Sequence, residues 1–207
     1  MLLYRNLMHK GVIIGIIIAV IIIGGFLASP LFYDIEVNEP LPVALNKIEE
    51  GLTFEKFAEM DDEKRAILVE KMPEEVENMI MEKAATMVIP VSESMDEMTS
   101  SDSTIELLKS GMFEGLVGHE AKGTAKIIQI NDMAFLRFEN FQVTNGPDLR
   151  VYITPDGDIK NGIHLEKLKG SKGDQNYILE NIDVGVYNTV VIYCQPFGVY
   201  FGQAKLV

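Results

Sequence analysis

Residues 11–28 read GVIIGIIIAVIIIGGFLA, eighteen positions without one charged or hydrogen-bonding side chain. A helix on a soluble protein needs a polar face, and this run offers none at any angle. With Leu31 and Phe32 it approaches the ~20 residues that carry a helix across a bilayer's hydrocarbon core. Arg5 and Lys10 precede it, and Asp34, Glu36 and Glu39 follow. The positive flank stays in the cytoplasm, so everything after Pro30 is expected outside. A cleaved signal peptide has a shorter apolar core and a small-residue cleavage site, which Phe26-Leu27-Ala28 supplies poorly. The expectation is a single-pass cell-membrane protein: residues 1–10 a cytoplasmic tail, 11–32 an uncleaved anchor, the rest extracytoplasmic.

Charge narrows the partners. Thirty-one acidic residues stand against eighteen basic ones, a net charge of −13. Such a surface repels phosphate backbones and argues against nucleic acid. One cysteine cannot form an intramolecular disulfide, so compartment rests on the N-terminus alone.

Past the anchor, Pro30, Pro40 and Pro42 keep the chain irregular. Residues 41–87 then read as short helices. Thr53 caps a turn holding Phe54 and Phe57, and Asp61 or Asp62 opens a helix through Ala66, Ile67, Leu68 and Met72. Pro73 suits the first position of another, with Glu74 and Glu75 at its positive end. There Val76, Met79, Ile80, Ala84 and Met87 form one apolar stripe. Residues 33–90 are therefore a membrane-proximal helical segment that needs a partner surface. Its methionines, with Met95 and Met98, are soft enough to hold Cu(I), but their place on the stripe favours packing. Residues 91–105, rich in serine, threonine and acid, read as an exposed acidic linker.

Residues 106–207 change to strands and turns. Segments at 111–115, 124–130, 134–141, 149–153, 175–179 and 187–194 alternate with Asn131-Asp132, Asn145-Gly146-Pro147-Asp148 and Pro155-Asp156-Gly157. Short strands at this spacing predict an antiparallel β-sandwich or barrel, so the fold class is mainly β behind a transmembrane helix and a short α-helical segment.

The strongest strand ends at the single cysteine. Val190, Ile192 and Cys194 share one face. Pro196 has no N–H for a ladder, so pairing stops just after Cys194, and Phe197, Val199 and Phe201 alternate in the next strand. A thiol at an interrupted ladder is expected to be more accessible than one in mid-strand. The residues alone leave Cys194 as a buried small hydrophobe, an intermolecular disulfide partner or a redox thiol. Reactivity would need a neighbouring cation, for which Lys122, Lys205 and His119 are candidates.

Other chemistries fare worse. Cys194 with His119 and His164 would make a copper site, but residues 195–207 hold neither the histidine nor the methionine that cupredoxin-like sequences place after the cysteine. Zinc lacks ligands. Haem ligation by His119, Met112, Met133 or Cys194 has no supporting spacing, and Cys-x-x-Cys-His is absent. No metal site is assigned, and the cofactor is left unknown. Asp156-Gly157-Asp158 with Asn161-Gly162 is an acidic turn rather than a calcium loop, and Asp148 is expected to bond its own turn. Hydrolytic triads, P-loops and dinucleotide fingerprints are missing.

A family resemblance runs through the same half of the chain. Gly111-Met112-Phe113, Gly118-His119 and Gly123-Thr124-Ala125 begin it. Leu136-Arg137-Phe138-Glu139-Asn140-Phe141 and Gly146-Pro147-Asp148-Leu149-Arg150-Val151-Tyr152 follow. Leu168-Lys169-Gly170, Gly173-Asp174-Gln175-Asn176-Tyr177 and Val191-Ile192-Tyr193-Cys194 with Phe197, Val199, Phe201, Gly202, Ala204, Lys205 and Leu206 complete it. In this order the segment 108–207 resembles the DM-thirteen domain, an extracellular β module found in some proteins beside DOMON and cytochrome b-type domains. The resemblance implies a β-sandwich whose characteristic cysteine, here Cys194, acts in electron transfer or thiol redox chemistry. It implies an accessory redox protein rather than a stand-alone enzyme, working beside a membrane redox partner or complex, with His119 a candidate neighbour of the thiol. The alternatives are a non-catalytic binding or adhesion module and an accessory subunit of a membrane complex.

Overall fold

The computed structural model describes residues 39–96, 99 and 103–207. The apolar run at 11–28, and with it the expected anchor, lies outside them; among the described residues no helix is long and apolar enough to cross a membrane.

Capping residues divide the N-terminal part into four short helices. α1 (Leu41–Ile48) starts directly after Pro40, with Pro42 in its first turn, where a missing N–H costs nothing. α2 (Phe54–Glu59) is capped by Thr53, whose hydroxyl accepts the Lys56 N–H at 3.3 Å. α3 (Asp62–Val69) is capped by Asp61, which accepts the Lys64 N–H at 2.9 Å. α4 (Glu74–Ala85) takes Pro73 as its cap rather than its first residue, with Glu74, Glu75 and Glu77 at its positive end. The apolar faces gather Leu45, Leu52, Phe57, Met72, Val76 and Ile80 into one cluster. Met60 and Met79 pack against it, so these thioethers fill gaps between short helices.

Nine strands follow: β1 (Pro90–Ser92), β2 (Ile105–Gly115), β3 (Ala121–Ile130), β4 (Met133–Val143), β5 (Leu149–Thr154), β6 (Ile163–Lys167), β7 (Lys172–Ile178), β8 (Thr189–Cys194) and β9 (Val199–Lys205). They form one sheet in the order β1-β7-β4-β3-β2-β9-β8-β5-β6. The β1–β7 pair is parallel and the others antiparallel. The fold is thus mainly β, as expected, but a mixed, curled half-barrel sheet replaces the expected purely antiparallel sandwich or barrel. The reason is β2. Its first part pairs with β3, and Phe113, Glu114 and Gly115 pair with β9, so one long strand serves both halves. Twist along it turns the halves toward each other. Ala125, Ile127, Leu136 and Phe138 from one half meet Val151, Val190, Ile192 and Phe201 from the other in a single core. Bulges sharpen the curl, as at Gly123 (φ +112°), where a Cβ would stand 2.7 Å from the Phe141 Cα.

Two strands fall where none was expected. β1 occupies the start of the acidic linker stretch, and β6 is a half-exposed edge strand in a polar region. β1 is too short to show a period, and in β6 only Ile163 and Leu165 alternate with polar residues, a signal too brief to mark a strand within that polar stretch. Residues Pro40–Val207 form one compact unit that holds both the helices and the sheet.

Candidate functional site

Strand β8 sets the thiol's direction. Val190, Ile192 and Cys194 face the core together, each fully buried. The strand ends at Cys194, opposite Leu149 of β5 and Val199 of β9. Residues 195–198 then form a tight turn in which the Gly198 N–H donates to the Cys194 carbonyl at 3.0 Å. Gly198 sits at φ +68°, a conformation glycine adopts without strain. The ladder stops where Pro196 predicts, yet the expected access does not follow. The turn folds back over the strand end, and Cys194 is 0% exposed. Burial pushes its thiol up to about 12, outweighing the backbone groups of Phe197 and Asp148 and the charge of Arg65. The cation that bears on the sulfur is Arg65 of α3, which the sequence did not single out, rather than the candidates Lys122, Lys205 and His119.

Arg65 belongs to a buried ion cluster. Its guanidinium, 1% exposed, donates to the Asp148 carboxylate, to Asp62 Oδ1 at 2.7 Å and to the Ala58 carbonyl at 3.1 Å. Asp148 also takes Arg150 Nη2 at 2.9 Å, with Lys167 Nζ at 3.6 Å. Arg150 closes the ring by donating to Asp62 Oδ1 at 2.6 Å. Charges survive out of water only when paired in this way. Burial opposes the Arg150 charge, but the bonds from Asp62 and Asp148 outweigh it and raise its pKa. The Arg150 bond likewise holds the Asp62 carboxyl below its usual range. Asp148 was expected to bond its own turn; instead its side chain serves α3. The partner lies 83 positions away in the chain, so no local pattern could reveal it.

Helix α2 supplies the second contact. Phe57 stacks on Phe197 at 5.8 Å between centroids, and Phe197 packs against both the helical cluster and the sheet core. Meanwhile the Gln195 N–H donates to the Asp148 carbonyl at 3.0 Å. The helical segment is therefore seated on both flanks of the turn that covers Cys194.

The histidines lie elsewhere. His119 stacks face to face on Phe201, centroids 3.6 Å apart and 7° between planes, and burial holds its pKa below the ordinary 6.5. It lines an open cleft of about 630 Å³ with Lys122. His164 sits on β6 beside Tyr152. Met112 and Met133 are both exposed. Among the described residues, no group of three or more His, Cys, Asp or Glu is placed to hold a metal ion. In the 156–161 stretch, Asp156 accepts from Asn161 and Asp158 caps a 3₁₀ turn, an arrangement of ordinary turn bonds.

No curated protein and no solved structure matches the chain. One family model does, over a stretch that begins inside β2, ends just past β9 and leaves the four helices outside. Residues 113–206 match the model described as Electron transfer DM13, a stretch of the sheet that includes Cys194.

Proposed function

We propose that the chain is an electron-transfer-type DM13 module held at the outer face of the cell membrane by residues 11–32, with Cys194 as its reactive thiol and the helical segment as a cap that governs it. The observation that carries this reading is the convergence of Phe57–Phe197 and Arg65–Asp148 on the turn over the sulfur. Burial, raising the thiol from 9.0 to about 12, suppresses its thiolate roughly a thousandfold at neutral pH. Lifting the cap returns the sulfur to water and toward its ordinary acidity. The thiolate then attacks a disulfide on a membrane-associated partner: a new S–S bond forms at Cys194, the partner's own S–S bond breaks, and its outer sulfur leaves as thiolate.

Non-reducing electrophoresis of membranes carrying the full chain tests this. The expected result is a mixed-disulfide adduct that disappears with reductant and in Cys194→Ser, and that increases in Phe57→Ala. If Phe57→Ala forms no adduct, the redox role is lost.

One observation favours a second reading, a non-catalytic binding module: a fully buried cysteine is a good core residue. On that reading Cys194→Ser leaves cellular function intact.

A further inference from the structure

The cleft beside His119 lies at the end of the sheet where β2 stops, β3 begins, β4 stops and β7 begins. Its floor is polar and its rim positive. Lys122, Gln142 and Lys172 stand in register across β3, β4 and β7. Two strand spacings place the lysines about 10 Å apart at their backbones, near enough for their long side chains to converge over Gln142. Neither ammonium has an ion-pair partner among the described residues, although acids outnumber bases in the chain.

Deeper in, Asn145 is 8% exposed and lines the cleft. Among the described residues its side-chain amide meets no hydrogen-bonding partner. The rest of the residue is buried, but the amide atoms open onto the cleft, so whatever occupies the cleft, water or ligand, is what they bond. Ser171, 3% exposed, accepts the Ile89 N–H at 2.9 Å, which leaves its own O–H to donate. A smaller hollow of about 140 Å³ shares Asn145 and Ser171. Glu120 also lines the cleft, the one carboxylate there, while Met87 and Val88 give it an apolar side.

We infer that this cleft binds a small organic ligand through a carboxylate or phosphate group, with Lys122 and Lys172 on the anion and Asn145 and Ser171 bonding it from below. Two ammonium groups with an amide and a hydroxyl donor are the set that such an oxyanion satisfies. The apolar side accommodates the ligand's carbon body. This site is separate from Cys194 and holds whether or not the thiol is redox-active.

The experiment titrates the full chain in mild detergent with inorganic phosphate and, separately, with succinate, at physiological salt, following backbone amide shifts. The expected result is saturable binding of at least one probe, with the shifts concentrated at His119, Asn145 and Ser171. Lys122→Gln/Lys172→Gln should weaken it about tenfold or more, and Asn145→Leu should weaken it comparably while the melting temperature is kept or raised. Preference for phosphate or for succinate assigns the headgroup within the proposal. Binding of neither probe overturns it. Loss in the lysine variant with none in Asn145→Leu also overturns it, because that is surface charge attraction without a built site.

Discussion

Replacing Arg65 with methionine removes the cation that joins the helical segment to Asp148 while keeping a long, helix-compatible side chain. Three contacts go: the bond to the Asp148 carboxylate, the 2.7 Å bond to Asp62 and the 3.1 Å bond to the Ala58 carbonyl. Breaking a buried pair by removing one partner costs about 3–5 kcal/mol when the other charge is stranded. Here Asp148, with its side chain 1% exposed, keeps Arg150 at 2.9 Å, which lowers the loss to about 2 kcal/mol. Asp62 is half exposed, rehydrates and adds little. The carbonyl bond brings the sum to about 3 kcal/mol. With an m-value of about 2 kcal/mol per molar urea, the unfolding midpoint of Arg65→Met should fall by about 1.5 M. Asp148→Leu in the same background removes the carboxylate that has lost Arg65, so the double variant should recover part of the loss, with a coupling of at least about 1 kcal/mol. A single variant within about 0.5 kcal/mol of the parent, or a double variant that is simply additive, would refute the reasoning.

Gly173 lies at φ +115°, and a Cβ there would sit 1.8 Å from the Val91 carbonyl oxygen, so Gly173→Ala should detach β1 and cost about 2 kcal/mol or more. Loss of exchange protection at the Glu93 amide, which donates to Asp174, checks it; Gly118→Ala, in open space, is the milder control. Tyr177 donates to Gln175 Oε1 at 2.7 Å and accepts the Lys169 N–H at 3.2 Å, so Tyr177→Phe should cost about 1–2 kcal/mol by urea titration. His119 has its folded-state pKa held below 6.5 by burial, so below pH 6.5 the unfolded chain binds more protons than the folded one. Its contribution is whole above 6.5 and is lost as pH falls from there toward the folded value. The melting temperature should drop between about pH 7.5 and about pH 5.5, and less steeply in His119→Gln.

How far the residues foretell this molecule depends on the range of the forces involved. Thr53 and Asp61 cap their helices because capping acts within three residues. Val190, Ile192 and Cys194 share a buried face because strand parity is local, and β8 ends at Cys194 with Pro196 just beyond. Parity already pointed toward burial of the thiol; the turn folding back over it depends on Phe57 and Arg65, which no local pattern ties to residues 195–198. Asp148 stands out as a turn residue and Arg150 only as a member of the stretch that resembles the family; their partners on α3 arrive through tertiary packing. β1 and β6 gave too little signal because three residues of parallel pairing show no period and β6 offers only the single alternation of Ile163 and Leu165. The Asn145 cleft is equally silent in the sequence, being assembled from four strand ends.

The rate at which iodoacetamide alkylates Cys194 in the native full chain, measured with and without Phe57→Ala, tests most directly whether the helical segment seals the thiol. The parent should react at least about a hundredfold more slowly than an exposed cysteine, as its raised pKa and burial require, and Phe57→Ala should react much faster while still folded. Alkylation of the native parent at the rate of an exposed thiol, or a folded Phe57→Ala that reacts no faster than the parent, would contradict the account.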